Sequence, residues 1–243
     1  MPTQLLLTRT LNAHFAAPVD HLLGALRIHP EYPQAPITNA FAMELVVFLA
    51  LLLYFVVVRA TLSVERPNPV QHLAEGVHEF VSTQSEAIIG HGYERFTSYL
   101  TALGLFILVS NLIGLIPGFE SPTANVVVPL GFAVCTFLYY HYHGLRVNGL
   151  SYFKQFAGPV WWLSPLLIPV EIISHFARVL SLTVRLYANI FAGDLVTLAF
   201  FSLVPIGIPL IFIGLHFGVA IVQAYVFILL AMSYLSLAVA EEH

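Results

Sequence analysis

Two apolar runs near the end of the chain, roughly Leu163 to Phe201 and Ile208 to Val239, each exceed an upright membrane-spanning helix, and both contain ionisable residues. About 20 apolar residues suffice to cross a bilayer. At about 1.5 Å of rise per residue, the first run is nearly twice the hydrocarbon thickness. Such a helix must tilt strongly, kink or extend outside the core. The rest of the chain agrees with a lipid solvent: 58% of its 243 residues are hydrophobic and only 9% charged, against about 25% charged in soluble domains.

Residues 1–36 contain Pro18, Pro30, Pro33 and Pro36 without a sustained apolar period, and are expected to form an extramembrane segment. Leu5-Leu6-Leu7 is too short a core for a cleavable signal peptide. Residues 37–243 are expected to be one polytopic membrane domain. Ile37 to Arg59 reads as the first span, and the Arg66-Pro67-Asn68-Pro69 break is followed by an amphipathic stretch, residues 70–90, suited to the interface. Thr97 to Ile116 and Asn125 to Tyr142 read as a transmembrane hairpin closed by Phe119-Glu120-Ser121-Pro122. After His143 a polar loop with Arg146 and Lys154 is expected, then the two long runs. The predicted fold class is therefore all-α: an integral membrane protein of about five transmembrane helices plus an interfacial helix, with two long tilted C-terminal helices.

Basic residues give the orientation. Arg59, Arg66, Arg95, Arg146 and Lys154 flank or lie in the inner loops of a topology with the N-terminus outside, against Arg9 and Arg27 on the other side. The same residues are scattered, which excludes a nucleic-acid footprint. Cys135 is the single cysteine, so neither a disulfide nor a cysteine metal site is possible. There is no G-x-x-x-x-G-K-[ST] loop for nucleotide phosphates.

The most informative residues are the ionisable ones in the long runs: Glu171, His175, Arg178, Arg185 and Asp194 in one, His216 in the other. An Arg or Asp at a helix centre costs about 2.5–3.5 kcal/mol in lipid on translocon scales, so each requires compensation. At about 100° per residue, His175, Arg178, Arg185 and Asn189 fall within about 40° of Glu171, with Ser174 and Ser181 nearby; Asp194 lies off this stripe, near 140°, as if for a different access route. His216, Gln223 and Tyr234 share a face of the last helix, and an antiparallel packing would let that face meet either polar surface of its neighbour. Glu171, His175 and Arg178 lie near the inner end, where side chains can snorkel to headgroups, so Arg178 reads equally as an interfacial anchor. Ser174, Ser181 and Asn189 have an alternative as interhelical hydrogen-bonding groups. Arg185 lies deep in its run with no acid close in sequence. Its partner is expected on another chain.

The segment Ser181-Leu182-Thr183-Val184-Arg185-Leu186-Tyr187-Ala188-Asn189-Ile190-Phe191-Ala192-Gly193-Asp194-Leu195 resembles the signature of subunit a of F-type ATP synthases. The resemblance continues through His216, Gln223-Ala224-Tyr225-Val226-Phe227 and Tyr234-Leu235-Ser236-Leu237, and more weakly through Asn111-Leu112-Ile113-Gly114-Leu115-Ile116-Pro117-Gly118 and Pro122-Thr123-Ala124-Asn125. Only residues 1 to about 36 lack support from it. It implies a six-helix stator subunit without cofactors, whose partners are a rotor ring of c subunits, peripheral-stalk b subunits and the rest of the complex. It implies two half-channels for protons, with Arg185 as the arginine between them, Asp194, His216 and Gln223 as access-channel positions, and Glu171, Ser181 and Asn189 as further positions on the path. Relatives in bacteria commonly carry Glu at the position of Asp194, and the shorter side chain is expected to reach His216 only through water. The implied enzyme activity belongs to the assembly, not to the isolated chain, and the expected location is a bacterial inner membrane with the C-terminus cytoplasmic.

Two other classes fit the sequence less well. A self-contained transporter or channel lacks the internal repeat common in such folds and leaves Arg185 without a partner. A scaffold of a respiratory complex would need haem-ligand spacing that the eleven histidines do not show.

Overall fold

The computed structural model describes residues 4–25, 35–63, 66–116, 118–149, 152, 164–203 and 207–240. The expectations placed on Arg27, Pro30, Pro33, Pro117 and Lys154 fall outside these residues. Seven α-helices are described: α1 (Leu6–Ala25), α2 (Asn39–Ala60), α3 (Pro69–Ile89), α4 (Glu94–Ile113), α5 (Val127–Asn148), α6 (Ser164–Leu203) and α7 (Ile208–Val239). A 3-10 turn, Pro122–Ala124, lies between α4 and α5.

Local chemistry sets most of these boundaries. Thr38 caps α2, its hydroxyl accepting from the Phe41 amide at 3.3 Å. Pro69 occupies the first turn of α3, where its missing N–H leaves no intrahelical bond unmade. Gly90 and Gly149, at φ 77° and 55°, end α3 and α5 in conformations that a side chain disfavours. The hairpin of α4 and α5 forms as the sequence suggests, but α5 continues past Tyr142 through Arg146. The reason is tertiary: the Asn148 amide donates to the carbonyl of Ala238 at 3.0 Å, tying the last turn of α5 to the end of α7.

Among the described residues, four helices are long and apolar enough to cross a membrane: α2, α4, α6 and the Leu210–Val239 part of α7. The sequence reading counts α5 as a fifth span; its 22 residues match α2 in length, but Tyr139-Tyr140-His141-Tyr142-His143 makes its second half more polar. Helix α6 has 40 residues, or about 60 Å at 1.5 Å per residue, so it cannot stand upright inside a core of about 30 Å.

The interior has two layers, both threaded by α7. Toward its C-terminal end, Phe96, Leu100, Tyr140, Ala231, Met232 and Leu235 pack together; nearer its middle, Leu103, Ile107, Leu182, Leu186, Ile190, Ala220 and Ala224 do. Small residues let the helices approach, as is usual between helices in lipid. Gly104 of α4 is one such point, because a Cβ there would collide with the Ile228 side chain of α7.

A buried polar knot fixes the α4–α5 turn. Asn111 donates to the Ala220 carbonyl at 3.2 Å, Thr123 donates to the Asn111 side-chain oxygen at 2.7 Å, and the Ser121 hydroxyl donates to the Ser110 carbonyl at 2.8 Å. These links hold the turn against α7 without leaving the Asn111 amide unpaired in an apolar interior.

The segment expected outside the membrane, residues 1–36, contains a helix. Helix α1 runs through Pro18, and Asn12 clasps the backbone of Ile37 with two 3.0 Å hydrogen bonds, one donated and one accepted. The Leu5 amide adds a bond to Asn39 at 3.2 Å. Long-range bonds to the start of α2 thus stabilise a helix whose sequence lacks a clear apolar period.

Candidate ion path

Helices α6 and α7 pack antiparallel and place their ionisable groups in two clusters. In the first, the Asp194 carboxylate faces His216 Nδ1 at 3.6 Å. This is an ion-pair distance slightly longer than a direct hydrogen bond, so the aspartate reaches the edge of the ring despite its short side chain. His216 is 4% exposed, and its Nε2 is buried without a hydrogen-bond partner among the described residues. Such a nitrogen is costly to leave unpaired. Gly193 makes room for the ring: a Cβ there would lie 3.0–3.1 Å from three of the imidazole atoms.

The second cluster lies at the other end of α6. Glu171 meets His175 Nε2 at 3.4 Å and the Arg178 guanidinium at 3.5 Å. His175 Nδ1 lies 3.0 Å from the Tyr140 hydroxyl of α5, and the His141 ring is centred 4.8 Å from the His175 ring. Tyr152 reaches His141 Nδ1 at 2.6 Å. Arg178 sits over the Tyr234 ring of α7, 5.4 Å from its centroid, in reach of a cation–π attraction. A cavity of about 170 Å³ opens among Tyr140, Tyr152, Glu171, His175, Arg178 and Tyr234. Arg178 is therefore engaged in a protein network and is not a solitary snorkelling anchor.

The shared face of His216 and Tyr234 meets both polar regions of α6, one at each end. The paired residue numbers sum to 410 for Asp194–His216 (194 + 216) and 412 for Arg178–Tyr234 (178 + 234), a constant register for antiparallel helices. Gln223 accordingly falls level with residues 187–189, the stretch that contains Asn189.

Arg185 stands between the clusters, 14 residues beyond Glu171 (185 − 171) and nine before Asp194 (194 − 185), or about 21 and 13.5 Å along the axis. It is exposed, and its described hydrogen bond goes to the hydroxyl of exposed Ser181 at 3.5 Å. Elsewhere on this stretch of α6, Leu180, Val184 and Leu195 are each about half exposed or more. The structure thus brings Asp194 together with His216, and Arg185 with Ser181, but keeps Glu171 apart from both. Tyr140, His141 and Tyr152 are members of the Glu171 cluster that the sequence reading did not single out. The signal for Tyr140 and His141 was the Tyr139-Tyr140-His141-Tyr142-His143 run in an otherwise apolar segment; Tyr152 lies outside it.

Long apolar helices that carry ionisable residues define a multi-pass membrane protein. The family model for the ATP synthase A chain matches residues 40–236, and the chain belongs to that family. It is 57% identical over 244 aligned residues to ATP synthase subunit a of Koribacter versatilis, covering all of both chains. It is 43% identical to the same-named protein of Solibacter usitatus, over 96% of this chain and 99% of that one, and 40% identical to that of Helicobacter pylori, over 80% and 87%. The full-length Koribacter match extends the likeness to residues 1–36. The chain is thereby a component of a bacterial ATP synthase membrane sector, whose work is proton transport coupled to ATP synthesis.

Proposed function

We propose that the chain is the stator side of a two-half-channel proton path to a rotor ring of c subunits, with Arg185 dividing the path. The observation that carries this reading is the order along α6: a polar cluster at Glu171, an exposed arginine beside Ser181, then a second polar pair at Asp194. Asp194, His216 and Gln223 serve the outer access route, and Glu171 the inner one. Ser181 and Asn189 flank Arg185 on the ring side.

A guanidinium stays charged even when desolvated and engages a carboxylate through several donors. Arg185 therefore attracts the deprotonated carboxylate of a passing ring subunit and favours release of its proton into the outlet. Its fixed charge also repels a proton moving directly between the routes. A lysine loses its proton more readily on desolvation and makes a poorer barrier. The gradient supplies about 2.3 kcal/mol per charge for each 100 mV, delivered as torque on the ring. The N-terminus lies outside and the C-terminus in the cytoplasm, an orientation supported by Arg59, Arg66, Arg95 and Arg146 on the inner side. Peripheral-stalk b subunits hold the chain against rotation, and the isolated chain catalyses nothing.

The test is ATP-driven proton pumping, followed with a pH-sensitive dye in vesicles carrying the intact complex. Arg185→Ala in an assembled complex is expected to abolish pumping. Undiminished coupled pumping would return Arg185 to a structural role.

A further inference from the structure

We propose that His175 is a proton-exchanging group between Glu171 and the adjoining cavity, held in the working orientation by Tyr140. The proposal rests on the inner-route reading of Glu171 and adds residues to it.

The ring is placed for this chemistry on both of its nitrogens. Nε2 faces Glu171 at 3.4 Å, while Nδ1 faces the Tyr140 hydroxyl at 3.0 Å. When Nδ1–H donates to the Tyr140 oxygen, Nε2 carries the lone pair and is turned toward the carboxyl group. An outer hydrogen bond that fixes the tautomer of an imidazole in this way is a common device. The residue is buried, at 8% exposure, yet it lines the 170 Å³ cavity together with Glu171 and Tyr152. That volume is polar-lined and large enough for water.

The exchange balances without a co-reactant. Protonated Glu171 gives its proton to Nε2, leaving a carboxylate and an imidazolium; the imidazolium then gives the same proton to cavity water and returns to its starting tautomer. The reverse sequence loads Glu171. The groups facing the ring come from every packed element: Glu171 and Arg178 on α6, Tyr140 and His141 on α5, Tyr152 beyond α5, and Tyr234 on α7 across the cavity. Arg178 adds a guanidinium 3.5 Å from the same Glu171 carboxyl oxygen. The imidazole supplies a second proton acceptor beside the carboxyl group.

The test uses the intact complex in vesicles, with ATP-driven pumping read against pH on the face served by Glu171. His175→Gly is expected to pump at least about tenfold more slowly, to lose the imidazole-dependent break in the pH profile, and to regain rate when free imidazole is added. His175→Gln retains a hydrogen-bonding side chain and is expected to lose the same break, which covers the case in which the glycine variant fails to assemble. Tyr140→Phe is expected to slow pumping less than either, with the break shifted and not lost. A slower variant with an unchanged profile and no response to imidazole would make His175 structural and overturn the proposal, as would an unchanged rate. Arg185→Ala measured alongside separates the two readings: if it stops pumping while the His175 variants behave like the parent, only the role of His175 falls.

Discussion

The two polar clusters on α6 are built differently. The Asp194–His216 pair joins two helices through one 3.6 Å approach at Nδ1, while the buried Nε2 has no hydrogen-bond partner among the described residues. The Glu171 cluster draws on α5, α6 and α7 and gives its carboxylate two partners. A pair with no redundancy transmits any displacement of one ring directly to the function. A network redistributes it, because each remaining member still has a partner. The outer route should accordingly be brittle and the inner one tolerant of changes at Arg178 and Tyr234, although both contain one acid and at least one histidine.

Substitutions test that contrast, beginning with the most severe. His216→Ala is expected to lower ATP-driven pumping by about a hundredfold or more, since no neighbouring imidazole replaces it; a loss below about fivefold would show that the pair is not the route. Gly193→Ala should slow pumping by about tenfold through misplacement of the His216 ring, with assembly retained, and a parental rate would contradict the close approach. On the other side, Arg178→Gln is expected to cost less than about fivefold, consistent with the ~1 kcal/mol limit for a part-exposed ion pair. Tyr234→Phe keeps the ring beneath Arg178 and should change the rate by less than about twofold. Should Arg178→Gln prove more damaging than Gly193→Ala, the brittle and tolerant assignments would be reversed.

Much of this architecture was legible in the sequence because apolar length and helical period are local properties. Helix α7 occupies Ile208–Val239, as its uninterrupted apolar run implies, and α6 lies within two residues of its expected limits. The separation of Asp194 from the Glu171 stripe also followed from helical angle. Which polar face met which partner did not: Tyr140 and His175 are 35 residues apart, and no periodic rule brings them together. Helix α1 was hidden for a related reason, since Pro18 is a breaker by local rules while the Asn12–Ile37 clasp that supports the helix is long-range.

The central claim is that Arg185 keeps the two clusters from exchanging protons except by way of a moving ring. The most direct measurement imposes a proton gradient on vesicles carrying the assembled Arg185→Ala complex and follows ATP synthesis and proton leakage together. The account predicts no synthesis while protons cross the membrane sector faster than in the parent complex. Synthesis at the parental rate with no added leak would contradict it.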